Sequence, residues 1–231
     1  MLSASEWDIV LLSLKVSLAA VALSLVPAFL LAYLLARGRF FAKSLVDALV
    51  HLPLVLPPVV IGWILLLAFG ANGPVGRLLE QGLGVSVIFR WTGAAIAAAV
   101  MALPLMVRAI RLSLEAVDRR LEDVARTLGA SRRHVFFSVT LPLSLPGVLA
   151  ALVLGFARAV GEFGATITFV SSIPGETRTL PLAIYGALQV PGGEAEVWRL
   201  SIASILLSLT ALVLSEWIAR RHSRGRSAHV L

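Results

Sequence analysis

Five long apolar runs, free of Asp, Glu, Lys and Arg, alternate with polar segments along the chain. The runs cover residues 16–36, 48–76, 91–107, 134–157 and 200–215. Each is near the about 20 residues that a helix needs to cross about 30 Å of hydrocarbon. A soluble helical protein with five such runs would have no solvated helix faces. The pattern therefore predicts an all-α integral membrane protein, a polytopic bundle of about five transmembrane helices.

Composition supports this assignment. The chain is 58% hydrophobic and 14% charged, against roughly 25% charged residues in soluble domains. We place the spans at about 9–36, 46–69, 91–112, 142–170 and 199–219, within one transmembrane domain over 9–220. A polar loop, 113–141, separates the third and fourth spans, and a short basic tail occupies 221–231.

The positive charges indicate an orientation, because Lys and Arg beside a span resist translocation and stay in the cytoplasm. With the five spans in alternation, one side holds fourteen of the twenty: Arg37, Arg39, Lys43, Arg108, Arg111, Arg119, Arg120, Arg126, Arg132, Arg133, Arg220, Arg221, Arg224 and Arg226. We therefore expect the amino terminus outside and the carboxyl terminus in the cytoplasm. The net charge of +7 follows from this topology. We therefore expect membrane lipid as a partner and no binding of nucleic acid.

The loop between the third and fourth spans is amphipathic. Leu121, Val124, Ala125 and Leu128 fall at i, i+3, i+4 and i+7, which is one apolar stripe on a helix. Gly129 can end that helix, and a Ser two residues later can cap a second one. Two short helices with apolar and basic residues in the cytoplasm predict a partner site. The alternative is a helix pair that lies on lipid headgroups.

This loop resembles the EAA signature of ABC importer permeases, Glu-Ala-Ala-x3-Gly-x9-Ile-x-Leu-Pro. The spacing is intact, although Asp replaces Glu, Val replaces the first Ala and Val replaces Ile; the matching residues are Asp123, Val124, Ala125, Gly129, Val139, Leu141 and Pro142. The resemblance implies a coupling loop that fits a groove on a nucleotide-binding subunit. With Leu121 and Leu128 on the apolar stripe, these residues form the candidate ATPase-coupling loop.

Two longer stretches, 51–62 and 161–181, look like the corresponding parts of molybdate importer permeases. The resemblance implies the type I ABC importer permease fold and a multi-pass location in the cytoplasmic (inner) membrane of a bacterium. It also implies a homodimer of permeases, two cytoplasmic ABC ATPase subunits and a periplasmic molybdate-binding protein. Relatives within this resemblance carry tungstate, sulfate or thiosulfate, and these oxyanions stay open as alternative cargo.

The chain has no ATPase motif of its own. A P-loop needs Gly-x4-Gly-Lys-[Ser/Thr], and the two lysines, Lys15 and Lys43, follow Leu and Ala. We therefore expect a non-catalytic subunit that binds no cofactor, with ATP and Mg on a partner ATPase. The chain has no cysteine, and no spacing of metal ligands appears, so no metal site is expected.

Charged residues inside a span are costly and therefore mark either function or a structural pair. Arg158 and Glu162 lie four residues apart in the fourth span, and Thr166 and Thr168 follow. These four are candidates for the translocation path, and Arg178 is a candidate for its outer mouth. A structural ion pair, helix back-bonding by the hydroxyls and an ordinary loop arginine are the alternatives.

Two other functions remain open at this point. An ion-coupled secondary transporter could use Glu162 and Arg158, although such carriers usually show internal repeats and none is found here. A membrane enzyme ranks last, because no catalytic triad, zinc motif or carboxylate pair appears within the spans. The stretch 180–190 is apolar but too short to span, so it is either re-entrant or lies on the surface.

Overall fold

The computed structural model describes residues 2–227, and within them the side chains of residues 2–213. Every regular element in this part of the chain is helical. The helices are α1 (Ala4–Arg37), α2 (Lys43–Val55), α3 (Pro58–Phe69), α4 (Pro74–Leu83), α5 (Trp91–Ala116), α6 (Arg119–Thr127), α7 (Arg132–Val135), α8 (Leu141–Val160), α9 (Gly164–Val170), α10 (Leu180–Leu188) and α11 (Glu194–Ser227). A π-helical segment, Phe136–Thr140, joins α7 to α8.

Four helical segments of residues 2–227 are long and apolar enough to cross a membrane. They are α1, α5, the continuous stretch Arg132–Val160 and the part Glu194–Val213 of α11. The pair α2 and α3 forms a fifth span if it is counted as one, although it bends by 113° between the two helices. The expected all-α bundle of about five transmembrane helices is confirmed.

Two of the expected spans are broken. The second bends where Pro57 and Pro58 follow α2, since proline has no N–H to continue the helical ladder. The fourth, expected over 142–170, is divided at 161–163, where α8 ends and α9 begins. The carboxylate of Glu162 accepts a hydrogen bond of 2.8 Å from the N–H of Ala165. That bond satisfies one backbone donor that the break exposes.

Helix α5 is the centre of the bundle and packs against both α1 and α8. Its residues 94–99 are alanine at every position but one, and the five alanines are buried: Ala94, Ala95, Ala97, Ala98 and Ala99. Small side chains let membrane helices approach closely. Ser24 of α1 uses this closeness, because its hydroxyl lies 2.8 Å from the Ala20 carbonyl oxygen and 3.1 Å from that of Ala99.

Helix α8 approaches α5 closely at a glycine. A Cβ built at Gly147 would collide with the Cβ of Ser113 and would lie 2.9 Å from the carbonyl oxygen of Ala109. The Ser113 hydroxyl donates to the carbonyl of Ser144 across the same contact, at 3.2 Å. Glycine is therefore required at this position by the distance between the two helices.

Contacts at the opposite end of the bundle tie the start of α1 to later elements. Ser13 accepts a 2.7 Å hydrogen bond from the N–H of Leu180, at the start of α10. Glu6 and Arg199 form an ion pair of 2.8 Å between α1 and α11. The ammonium of Lys15 lies 3.8 Å from the ring centroid of Trp91, a favourable cation–π distance. This end carries α4, α10 and the start of α11.

Replacement of Gly147 by alanine should weaken the bundle, because the added methyl group must push α8 away from α5. We expect Gly147→Ala to lower the free energy of unfolding by about 1–3 kcal/mol, the usual cost of overpacking a core. The measurement is thermal unfolding of the purified protein in detergent.

Gly186→Ala is the matched control, since Gly186 also lies in a helix but a Cβ there meets nothing within 4 Å. Its melting temperature should equal or exceed that of the wild type, because alanine favours helix. Equal losses from both substitutions would contradict the close α5–α8 contact.

Candidate functional site

Helix α6 is a short, well-capped helix at the end of the bundle where α5 finishes. Asp118 caps its start by accepting a 2.9 Å hydrogen bond from the N–H of Arg120. Gly129 follows its end with φ +87°, a conformation that glycine adopts at low cost. The N–H of Ala130 then bonds to the carbonyl of Ala125 at 3.0 Å. The segment is therefore a defined helix with a defined stop.

The apolar stripe of α6 faces away from the bundle. Leu121, Val124 and Leu128 are 50%, 56% and 83% exposed, and Ala125 is half-buried. A stripe of this kind on a short exposed helix is unusual without a partner, since contiguous exposed apolar surface marks an interaction site. The geometry supplies a ridge of aliphatic side chains that another surface could cover.

The remaining residues of the coupling-loop set divide into exposed and packed members. Asp123 is exposed, with its carboxylate 3.1 Å from Arg126 on the same helix. Val139 lies in the π-helical segment, and Leu141 and Pro142 begin α8; all three are half-buried. The structure therefore places the first part of the set on the exposed helix and the last part at the root of a membrane span.

One residue of α6 that sequence reasoning missed lies inside this arrangement. Glu122 is 8% exposed, and its Oε1 accepts hydrogen bonds of 2.9 Å from Arg37 at the end of α1 and 2.9 Å from the hydroxyl of Thr140. Helical periodicity gives no signal for this contact, because Glu122 stands next to Asp123 in a polar stretch. Its main partner is 85 residues away in the sequence.

The path candidates gather at the break between α8 and α9. Arg158 and Glu162 form an ion pair with 2.6 Å between Nη1 and Oε2. Thr166 is buried, and the hydroxyl of Thr168 donates to the carbonyl of Gly164 at 2.9 Å. Arg178 lies apart from them, in the connection that precedes α10. The structure brings together four of the five candidates.

The two broken spans meet at their breaks, which the sequence did not reveal. A Cβ at Gly164, the first residue of α9, would lie 2.8 Å from the Pro58 side chain at the start of α3. Further along, a Cβ at Gly62 would lie 2.5 Å from the carbonyl oxygen of Ala165. Helices α3 and α9 therefore run side by side in the same direction, and their first residues are in contact.

The connection from α9 to α10 is held by a buried threonine. The hydroxyl of Thr177 accepts a 2.8 Å hydrogen bond from the N–H of Ile173 and donates at 2.9 Å to the carbonyl of Ser171. Helix α10 then packs against α11 and α1, with Leu180 fully buried.

Among the described residues, no group of three His, Asp or Glu side chains could hold a metal ion.

Three curated relatives are similar to most of the chain. The Molybdenum transport system permease protein ModB of Escherichia coli (strain K12) is 57% identical over 223 residues, covering 96% of this chain and 97% of the relative. The protein of the same name from Haemophilus influenzae is 59% identical, with 91% and 92% covered. The Sulfate transport system permease protein CysT of Salmonella typhimurium is 36% identical, with 83% and 70% covered.

Two solved structures show the same fold at low sequence identity. A crystal structure of an amino acid ABC transporter with histidines matches with a TM-score of 0.67 at 19% identity, covering 94% of each chain. A bacterial ABC transporter involved in the import of the acidic polysaccharide alginate matches with a TM-score of 0.72 at 18% identity, covering 95% of this chain and 80% of that one.

The family described as "Binding-protein-dependent transport system inner membrane component" matches residues 28–224. This range includes the bent second span, helix α6 and the break after α8. The chain therefore belongs to the family of inner membrane components of binding-protein-dependent transport systems.

Proposed function

We propose that the chain is the permease subunit of an ATP-driven importer of molybdate, and that α6 is the helix on which a cytoplasmic ATPase docks. The observation that carries the docking proposal is the exposed aliphatic ridge of Leu121, Val124 and Leu128. The cargo proposal rests on the 57–59% identity to two molybdenum permeases, against 36% to a sulfate permease.

The proposed orientation puts α6 in the cytoplasm. The end of the bundle with α6 also carries the basic residues that follow α1 and α5, while the other end holds few. Positive residues beside spans stay on the cytoplasmic side. The binding protein would then deliver its oxyanion at the opposite end, where Arg178 and α10 lie.

In this proposal the chain hydrolyses nothing and binds no cofactor. ATP and Mg belong to two ATPase subunits, one docked on each of two permease copies, and closure of the ATPases moves the permeases between two states. Each copy contributes a break between α8 and α9 to the path. Thr166, Thr168 and Arg158 are the candidate path residues at that break, and a passing oxyanion must bind there weakly enough to leave again.

An ion-coupled carrier is less well supported by the same geometry. Both oxygens of the Glu162 carboxylate already have partners within the chain, because one accepts a hydrogen bond from the N–H of Ala165 and the other lies 2.6 Å from Arg158. The pair therefore fits a structural role at the helix break better than a proton-binding site.

Docking can be tested with a cysteine at the ridge, because the chain has no cysteine of its own. Leu128→Cys in the assembled transporter, treated with a short bifunctional thiol reagent and an ATPase that carries one surface cysteine in its permease-facing groove, should give a crosslinked permease–ATPase product. Leu78→Cys is the control, since Leu78 is 72% exposed on α4. Helix α5, of 26 residues and about 39 Å, separates the two positions.

The Leu78→Cys variant should give no product with the ATPase. Absence of the product from Leu128→Cys in a transporter that still hydrolyses ATP would contradict docking on α6. Equal products from both positions would show collision instead of docking.

The cargo can be tested by the ATPase rate of the reconstituted complex. Binding protein loaded with molybdate should stimulate hydrolysis, whereas the same protein presented with sulfate should leave the basal rate unchanged, because stimulation requires the loaded, closed form to dock. Tungstate, which has the same shape and charge as molybdate, is expected to stimulate as well. Equal stimulation by sulfate would contradict the molybdate assignment and leave the permease assignment intact.

A further inference from the structure

We propose that Glu122 is a positioning residue that couples movement of α6 to the membrane helices α1 and α8. The inference rests on the proposed function, because it needs an ATPase that moves α6. In the proposed function the exposed face of α6 is the docking face. A helix outside the bundle also needs a contact that transmits force into the bundle.

Helix α6, which is described in full, has a single buried residue, and that residue is Glu122. Its leucine and valine side chains point away from the bundle. The packing contacts of α6 with other helical elements are mainly those with α7 and the π-helical segment. The Glu122 carboxylate is therefore the principal side-chain link between α6 and the rest of the molecule.

The Glu122 carboxylate contacts two other parts of the molecule. Its Oε1 accepts from Nη2 of Arg37 and from the hydroxyl of Thr140, both at 2.9 Å. The same Nη2 lies 3.4 Å from the carbonyl oxygen of Val117, which follows α5. One oxygen thus joins α6 to the end of α1 and to the segment that opens α8, and the arginine extends the contact to the end of α5.

The ion pair of Arg37 and Glu122 is mostly buried. The side chains of Arg37 and Glu122 are 12% and 11% exposed, so water screens their attraction little. Separation of a mostly buried pair leaves each charge poorly solvated and is therefore strongly unfavourable. Displacement of α6 should move α1 and α8 with it before the pair breaks.

The neighbouring carboxylate is a contrast within the same helix. Asp123 has a side chain that is 67% exposed and pairs with Arg126 of α6 itself. Its contact crosses no boundary between elements and so transmits nothing into the bundle. Two adjacent acidic residues therefore have different tasks: Asp123 faces outward beside the docking ridge, and Glu122 faces inward.

A second, apolar contact holds the end of the loop independently. The ring of Phe136 stacks edge-on against Phe29 and Tyr33 of α1, with centroids 6.0 and 5.6 Å apart. This contact anchors α7 and the π-helical segment to α1 without Glu122. Loss of the carboxylate should therefore loosen α6 while the bundle and the docking ridge remain.

The test compares Glu122→Gln with Glu80→Gln in the complete transporter, reconstituted in liposomes with its ATPase and molybdate-loaded binding protein. Glu80 is an exposed residue of α4 at the opposite end. Glu122→Gln keeps the size of the side chain but removes its charge. We expect the molybdate transported per ATP hydrolysed to fall about tenfold, as the loss of a buried charge partner can cause, while Glu80→Gln matches the wild type.

Two further measurements separate coupling from simple loss of structure. The crosslink from Leu128→Cys to the ATPase should persist in the Glu122→Gln background. The double variant Arg37→Gln, Glu122→Gln should be no worse than the more affected single variant, because residues of one pair are not additive. In Glu122→Gln alone, the buried Arg37 loses its carboxylate partner, which could prevent folding. The double variant removes that arginine as well, so it keeps the test usable if the single variant fails to fold.

A distance measurement tests the rigid link directly. Nitroxide labels at Thr127→Cys on α6 and Phe41→Cys just after α1 should show one narrow distance, the same without nucleotide and in the ATPase-trapped state. In the Glu122→Gln background the distribution should broaden or shift on trapping.

An unchanged transport-to-hydrolysis ratio in Glu122→Gln would overturn the inference. A proportional fall of transport and hydrolysis together with loss of the crosslink would also overturn it, because the role would then be structural. Absence of the crosslink in the otherwise wild-type Leu128→Cys transporter is a different result, since it refutes docking on α6 itself.

Discussion

The close approach of α1 and α8 to α5 is the constraint on which the rest of the structure depends. Lipid tails are as apolar as leucine, so membrane helices gain little from apolar contact alone and associate through close packing. The alanine stretch of α5 and the glycine of α8 at position 147 allow that packing. With these helices fixed, their ends are fixed as well, and the connecting segments gather at two opposite ends.

The two ends differ in how they are held. At the end with α10, two hydrogen bonds fix the connections to the spans: the N–H of Leu180 donates to the Ser13 hydroxyl, and the Thr177 hydroxyl donates to the Ser171 carbonyl. At the other end, α6 stands outside the bundle with an exposed apolar ridge, and the Glu122 carboxylate links it inward. Because Glu122 links α6 to α1 and to the segment that opens α8, a force that a docked subunit applies to the exposed ridge would reach two membrane spans. The two helix breaks lie beside each other, where a Cβ at Gly164 would be 2.8 Å from the Pro58 side chain, and in the proposed function the path opens there.

Much of this arrangement was predictable from local pattern. The apolar runs predict the spans, and the i, i+3, i+7 leucines and valine predict α6. The break at 161–163 was missed, because Glu162 was interpreted as the partner of Arg158 on one continuous helix. Glu122 was missed for a different reason: its partner Arg37 is brought close only by the packing of α1 on α5. Contacts between distant residues leave no periodicity.

The central claim is that the ridge of α6 faces the cytoplasm and is covered by the ATPase. Labelling with a membrane-impermeant thiol reagent tests it most directly, with Leu128→Cys and Leu78→Cys in separate variants. The account predicts that Leu128→Cys reacts only in inside-out vesicles stripped of the ATPase and is protected when the ATPase is restored, whereas Leu78→Cys reacts only from the outer side. Reaction of Leu128→Cys in intact spheroplasts, or unprotected reaction in the assembled transporter, would contradict it.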